Sequence, residues 1–483
     1  MFRHLRQLAW ETLVYGLSGI GTRFITVFLV PIYARIFTPA DYGILSLVST
    51  TMSLVAMFVV LALDNSAHRW FWDTEDTADR KRTLASWIWC QFVVATIFAL
   101  VILASSRTMG KFILGNSVAG LYFQISAMAL PLGVLNQVVT TWLRMQRRAW
   151  ATTVFTLATT LINILFTVCL VIFLHQGVKG VFTSQVISVG VGSLAAALMM
   201  KDWVNPFHVR WNRLREMLRF SLPLIPGGLA FWIVSLSDRY FVDFYASVHE
   251  VGLYSVGSSV AAVIALGSAA FQQAWSPFAL SIHKAPEAKR VYANAMLAYM
   301  WLTCALSAGL GLLAPEAIRL VATQKYLGAG SVVGLLALSY VMIGTTYIAA
   351  LGPAIVKDSR PTGIAFILGA VLNIACNFLL VPYMGKEGAA LATLISQATI
   401  AGYLFYRSQK LYPIPYRFGP ALGLVGLSLG VMWLGRFVHF ANPWSAVLAK
   451  VALASLFIPF LFMLRIMTLA QARRLVQVPA ATG

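Results

Sequence analysis

Between residues 12 and 464 the chain is divided into apolar runs of roughly twenty residues, separated by short polar or basic segments. A helix of about that length crosses roughly 30 Å of hydrocarbon. About fourteen such runs can be drawn: 12–35, 44–63, 83–105, 117–140, 151–174, 181–200, 220–244, 252–274, 291–313, 332–352, 362–382, 388–406, 419–435 and 444–464. With 59% hydrophobic and 11% charged residues, and a mean hydropathy of +0.78, the 483-residue chain lacks the polar surface of a soluble protein. Inside hydrocarbon a backbone must satisfy its own hydrogen bonds, and runs this long do so as helices. The expected fold class is an all-α polytopic membrane protein of about fourteen transmembrane helices, with little chain left for soluble domains.

Charge orients these helices. Of the 36 Lys and Arg residues, 25 fall on alternate segments beginning with the N-terminal one, 8 on the intervening segments, and 3 (Arg23, Arg239 and Lys450) within runs. Basic loops remain cytoplasmic, so both termini are expected in the cytoplasm. The net charge of +20 is thus topogenic. Nucleic-acid binding would need a basic cluster on a folded soluble face, and no nucleic-acid partner is expected. The N-terminal MFRHLRQLAW is basic, but the run after it is too long for a signal-peptide core and lacks an A-x-A site, so the first span is expected to be retained. Cys90, Cys169, Cys304 and Cys376 lie far apart within runs and read as packing residues, not a disulfide or metal framework.

The chain also repeats itself. DYGILSL (41–47) matches EVGLYSV (250–256) at an offset of 209, and LINILFTVCLVIFLHQGVKG from 161 matches VLNIACNFLLVPYMGKEG from 371 at 210, falling to 208 at Gly177/Gly385 and Gly180/Gly388. Two matches at nearly one offset indicate two homologous six-helix lobes of like orientation, an arrangement of carriers that bind substrate between lobes and rock. The expected organisation is an N-terminal lobe (1–200), a cytoplasmic amphipathic linker (201–219), a C-terminal lobe (220–410), and two extra helices with a cytoplasmic tail (411–483). Within the linker, VRWNRLREMLRF (209–220) places Trp211, Leu214 and Leu218 on one face, as expected of a helix lying in the headgroup plane.

FLVPIYARIFTPADYG (28–43), LDNSAHRWF (63–71), LRFSLPLIPGGLAFWIVSLSDRYFVDFYASVHEVGLYSV (218–256) and LNIACNFLLVPYMGKEGAALATLIS (372–396) together resemble the polysaccharide-export branch of the multidrug/oligosaccharidyl-lipid/polysaccharide exporter superfamily, over roughly residues 12–410. The resemblance implies the fold of its multidrug exporters and a Wzx-type flippase. Such a protein turns an undecaprenyl-diphosphate-linked oligosaccharide, a repeat unit of O-antigen, capsule or exopolysaccharide, from the inner to the outer leaflet of a bacterial cytoplasmic membrane. Its partners would be that lipid-linked oligosaccharide and membrane lipids, with polysaccharide polymerase and assembly proteins as further candidates. A drug/cation antiporter of the same superfamily is the alternative, and a polytopic enzyme of polysaccharide assembly a weaker one.

Moving a diphosphate and sugars through hydrocarbon requires a wet cavity with cations and hydrogen-bonding groups. Arg23, mid-span, costs at least about 2.5 kcal/mol unless partnered, and is the first candidate for the diphosphate. Arg239 is the second, either facing the cavity or snorkelling; Asp238 beside it projects about 100° away, so each needs its own partner. Arg35 and Arg69, with Asn163 and Asn373 at matching repeat positions, complete the substrate-binding candidates. Gln124, Gln137, Gln272, Gln273 and Asn377 are weaker ones. Asp64 and Asp238 are candidates for coupling to H⁺ or Na⁺; no other cofactor and no metal is expected. Pro223, Pro226, Gly227 and Gly228 should interrupt the seventh span and could hinge it. Lys450 reads as snorkelling at the outer end of the last span. The acidic DTEDTAD (73–79) reads as a solvated loop, and the chain carries no G-x-x-x-x-G-K-[ST] phosphate loop and no H-E-x-x-H.

Overall fold

The computed structural model describes residues 29–438 and 443–463. Among them no strand occurs, and twelve helices are long and apolar enough to cross a membrane. Arg23 and all but the last residues of the expected first span lie outside the described residues; what is described of that span is α1 (Leu29–Ile36).

The chain divides into two compact units, Met1–Ser255 and Val256–Gly483. In the first, α2 (Pro39–Val60) and α3 (Leu63–Trp72) are followed by α4 (Thr77–Leu114), α5 (Gly120–Met145), α6 (Ala149–Val168) and α7 (Gly177–Met199). The linker helix α8 (Trp211–Ser221), then α9 (Ile225–Leu236) and α10 (Asp238–Tyr245), complete it together with the first residues of α11 (Val248–Ser281). The first unit therefore holds more than the 1–200 stretch: the linker and the seventh span pack with it.

The second unit contains the rest of α11, α12 (Ala288–Leu312), α13 (Ala314–Val321), α14 (Gly330–Ala349), α15 (Leu351–Ile355) and α16 (Arg360–Leu411), then α17 (Phe418–Gly435), α18 (Pro443–Ala454) and α19 (Phe457–Met463). A straight helix of 52 residues would run roughly 78 Å, more than twice the hydrocarbon thickness. It does not run straight. Gly385 has φ 54° and ψ −132°, and a Cβ on Gly388 would lie 2.6 Å from the carbonyl oxygen of Leu380, so the chain reverses there. The two arms are the runs 362–382 and 388–406.

The first unit makes the matching turn at the matching place. Gly177 has φ 57°, and a Cβ on Gly180 would come within 3.3 Å of the Leu170 backbone. A left-handed residue followed three positions later by one that must be small is what the Gly177/Gly385 and Gly180/Gly388 pairs of the repeat encode.

Local sequence sets the helix starts. Thr38 and Asp41 form a capping box: Asp41 N–H donates to Thr38 Oγ1 at 3.2 Å and Thr38 N–H to Asp41 Oδ2 at 3.0 Å, with Pro39 at the first helical position. Asp76 caps α4 by accepting from the backbone N–H of Ala78 and Asp79. Two carboxylates of the acidic stretch thus have structural tasks, because Asp79 also accepts from Arg213 Nη2 at 2.8 Å on both oxygens.

That ion pair ties α8 to α4. Leu214, Met217 and Ser221 form the buried face of α8, and Trp70 Nε1 donates to Glu216 at 3.3 Å. Of the expected face, Leu214 is buried, Leu218 packs partly buried against the core, and Trp211 is exposed. Beneath it a core of Leu63, Phe71, Trp87, Val138, Trp142 and Met200 closes this end of the first unit. Val93, Ile97, Leu100 and Val101 stand exposed along one stripe of α4, as lipid-facing side chains do. In the second unit Lys450 does not snorkel; its Nζ lies 2.6 Å from Glu316 Oε1 and it is 8% exposed, because a carboxylate within reach at the start of α13 neutralises it in place.

Gly388→Leu is expected to cost about 1–3 kcal/mol by forcing the Leu380 backbone aside. A thermal-unfolding scan of the purified protein should show its Tm clearly lowered, while Gly402→Leu, where an added Cβ meets nothing within 4 Å, leaves it unchanged.

Candidate functional site

A polar stripe on α6 is the first element of the site. Thr156, Thr159, Thr160 and Asn163 recur at i, i+3, i+4 and i+7, one face of an otherwise apolar helix, and all four line a cavity of about 470 Å³ within the first unit. α5 contributes Asn136 and Thr140, α7 contributes Gln185 and Ser188, and Ser49 comes from α2. Tyr33, Leu45, Phe155 and Ile164 supply apolar wall. No described lining residue is charged.

The hydroxyls are anchored to the helices that carry them. Thr156 Oγ1 donates to the Thr152 carbonyl at 2.8 Å, Thr160 Oγ1 to the Thr156 carbonyl at 2.7 Å, and Thr140 Oγ1 to the Gln137 carbonyl at 2.8 Å. Ser188 Oγ reaches across to the Thr159 carbonyl at 2.8 Å, stitching α7 to α6. Asn136 Nδ2 donates to Val189 O and Ser193 Oγ, each at 2.8 Å, and binds α5 to α7.

The second element is a polar seam along α2. Trp232 Nε1 donates to Ser53 Oγ at 2.9 Å, and the hydroxyls of Thr51 and Tyr240 lie 2.7 Å apart. Arg239 Nε donates to Ser46 Oγ at 3.0 Å, and Ser255 Oγ donates to the same oxygen at 2.7 Å. Ser46 and Ser255 are 209 residues apart, the repeat offset itself. Glycines at the same offset sit beside them: a Cβ on Gly43 would lie 1.9 Å from Val248 O, and one on Gly252 1.8 Å from Pro39 O. Each repeat thus touches the other through equivalent residues, and only glycine permits that approach of backbones.

The side-by-side pair 238–239 resolves into two attachments. Tyr254 Oη donates to buried Asp238 Oδ2 at 2.8 Å, while half-buried Arg239 holds Ser46 and lies 5.9 Å over the Tyr254 ring. Both therefore sit in the seam, which the cavity lining does not include. Of the other candidates, Asn163 lines the cavity and its Oδ1 accepts from Thr167 at 3.1 Å. Arg35 is exposed in the last turn of α1, and Arg69 is exposed at the end of α3, stacked over Trp70 and Phe220. Asp64 lies in the first turn of α3. Asn373, fully buried in the second unit, accepts from Asn377 Nδ2 at 2.9 Å through its backbone carbonyl. Pro223 lies in a 3₁₀ turn and Pro226 in the first turn of α9, with Gly227 and Gly228 after it; a further break falls at Ser237, between α9 and α10.

The threonine stripe, Gln185, Asn136 and Ser49 were not singled out from sequence. The threonines had a signal, a polar i, i+3, i+4, i+7 pattern on an apolar span, whereas Gln185, Asn136 and Ser49 are single polar residues on other helices.

Among the described residues this is an all-helical, multi-pass membrane fold with a cavity in its first unit that is lined in part by polar side chains. The chain belongs to the polysaccharide biosynthesis protein family, whose model matches residues 32–331. It is 21% identical over 337 residues to the succinoglycan biosynthesis transport protein ExoT of Rhizobium meliloti, covering 69% of this chain, and 23% identical over 273 residues to an Lsg locus protein of Haemophilus influenzae, covering 56%. The matched region spans 65% of the length of each of these relatives. The fold is similar to that of the lipid II flippase MurJ in an inward closed conformation, with a TM-score of 0.75 at 14% identity over 96% of this chain and 100% of that one. An inward-facing multidrug resistance MATE transporter of the MOP superfamily superposes with a TM-score of 0.67 at 15% identity over 83% of this chain and 96% of that one.

A protein carrying Ser46→Cys and Ser255→Cys, with its native cysteines replaced, should form an intramolecular disulfide under mild oxidation, read by mass spectrometry. Ser49→Cys with Ser255→Cys, one turn displaced along α2, should not.

Proposed function

We propose that this protein is a flippase that moves an undecaprenyl-diphosphate-linked oligosaccharide, a repeat unit of O-antigen, capsule or exopolysaccharide, from the inner to the outer leaflet of a bacterial cytoplasmic membrane by alternating access. The observation that carries the reading is a cavity of about 470 Å³ among membrane-spanning helices, with Thr156, Thr159, Thr160, Asn163, Asn136 and Gln185 in its lining. A sugar headgroup cannot cross hydrocarbon unaided, because each unpaired hydroxyl costs free energy there, whereas the polyprenyl tail can stay in lipid. Family membership, ExoT and the MurJ-like fold point the same way. The drug/cation alternative would want a carboxylate in the cavity, and no described lining residue is one.

On this reading the diphosphate is met by Arg23 and by Arg239, with Arg35 and Arg69 as further cations at the helix ends. Asp64 and Asp238 are the groups through which H⁺ or Na⁺ would couple, and Pro223 to Gly228 is the hinge. With both termini cytoplasmic and the cell interior negative, outward movement of an anion gains roughly 2.3 kcal/mol per charge per 100 mV, so potential alone supplies a drive. Polymerase and assembly proteins would receive the product.

Proteoliposomes loaded with fluorescent polyprenyl-diphosphate oligosaccharides test this. The wild type should flip them, and Arg23→Ala and Arg239→Ala should each slow flipping about tenfold or more through loss of a charge-assisted hydrogen bond. Normal rates in both variants would remove the assignment of the cations, and a wild type that flips no lipid-linked oligosaccharide would remove the function.

A further inference from the structure

We propose that the cavity of the first unit is a subsite for the uncharged sugar residues of the headgroup and does not hold its diphosphate; this rests on the flippase reading and assigns the parts of the substrate to different places. The argument is an inventory of protons. A hydroxyl has one proton to donate and two lone pairs to offer. Thr140, Thr156, Thr160 and Ser188 each spend that proton on a backbone carbonyl, so what they present to the cavity is acceptor oxygen. Asn136 spends its N–H bonds on Val189 O and Ser193 Oγ and packs its carbonyl oxygen against Gly192, so its amide brings no donor to the cavity.

The lining thus accepts more than it donates. Phosphate oxygens can only accept, and with no cation in the described lining a diphosphate would face lone pairs. Sugar hydroxyls donate as well as accept. The remaining donors fit the same ligand: Asn163 and Gln185 each bring a side-chain amide to the lining. Tyr33 and Phe155 supply aromatic wall beside them.

Volume separates a sugar from an ion. A cavity of about 470 Å³ falls in the range of roughly 300–1,000 Å³ typical of small-molecule sites, far more than a bare monovalent cation would fill. The cavity is too small for a long oligosaccharide, so it reads part of a repeat unit, and through that part it would select among lipid-linked substrates.

The test uses full-length protein in nanodiscs, with its native cysteines replaced and a single Thr160→Cys introduced on the cavity wall. The rate of maleimide labelling is measured with neutral methyl glycosides and short neutral oligosaccharides, with inorganic pyrophosphate, and with Na⁺ exchanged for K⁺. At least one neutral sugar should slow labelling about tenfold. Pyrophosphate and Na⁺ should leave the rate unchanged. Adding Gln185→Leu or Asn163→Leu should raise the sugar concentration needed for protection about tenfold, while an unchanged labelling rate without ligand shows that the wall is intact. Protection by pyrophosphate or by Na⁺, or no protection by any sugar, overturns the proposal. Transport of the lipid-linked probe by wild-type protein distinguishes the two failures: flipping without sugar protection removes the subsite alone, and sugar protection without flipping removes the flippase reading.

Discussion

Hydrocarbon offers no hydrogen bonds, and that single constraint organises this protein. Every polar side chain on a spanning helix must bond to its own backbone, bond to a neighbouring helix, or face a hydrated space. The structure uses all three. Threonines of α6 turn their protons onto the preceding turn, Asn136 and Ser188 stitch α5, α6 and α7 together, and the lone pairs and amides left over converge on one cavity. The cavity is therefore a consequence of how polar groups are satisfied, as much as of where helices leave room.

Charge is held by specific partners outside the described cavity lining. Asp238 and Arg239 are absorbed into the seam along α2, each by a different partner, because neighbours on a helix diverge and cannot neutralise each other across its surface. Lys450 finds Glu316, and Arg213 finds Asp79 where the linker helix meets the first unit.

The internal repeat has a physical product beyond duplication of helices. Gly43 with Gly252 and Ser46 with Ser255 bring equivalent positions of the two repeats into direct contact, and Arg239 joins the serine pair. The equivalent residues themselves are small, so the two backbones meet there closely, with the Arg239 guanidinium alongside. Gly177 and Gly385 show the same economy in the reversals that end each repeat, where a left-handed turn lets two spans lie side by side.

The sequence by itself determined the class of fold, the placement of most spans, the repeat and its glycines, because those depend on properties additive along the chain: apolar length, loop charge and the need for a residue without a Cβ. The run 388–406 could be read without seeing the turn at Gly385 that creates it. What sequence could not supply was the partner of a side chain on another helix. It foresaw that Asp238 and Arg239 need separate partners, yet not that these are Tyr254 and Ser46; it selected Asn163, yet passed over Gln185 and the threonines around it. It gave Lys450 to the lipid surface because Glu316, 134 residues away, becomes a neighbour only after folding. Partnership joins residues distant in the chain through the angle at which each helix presents a face, and that angle is fixed by packing between helices, which no single span encodes.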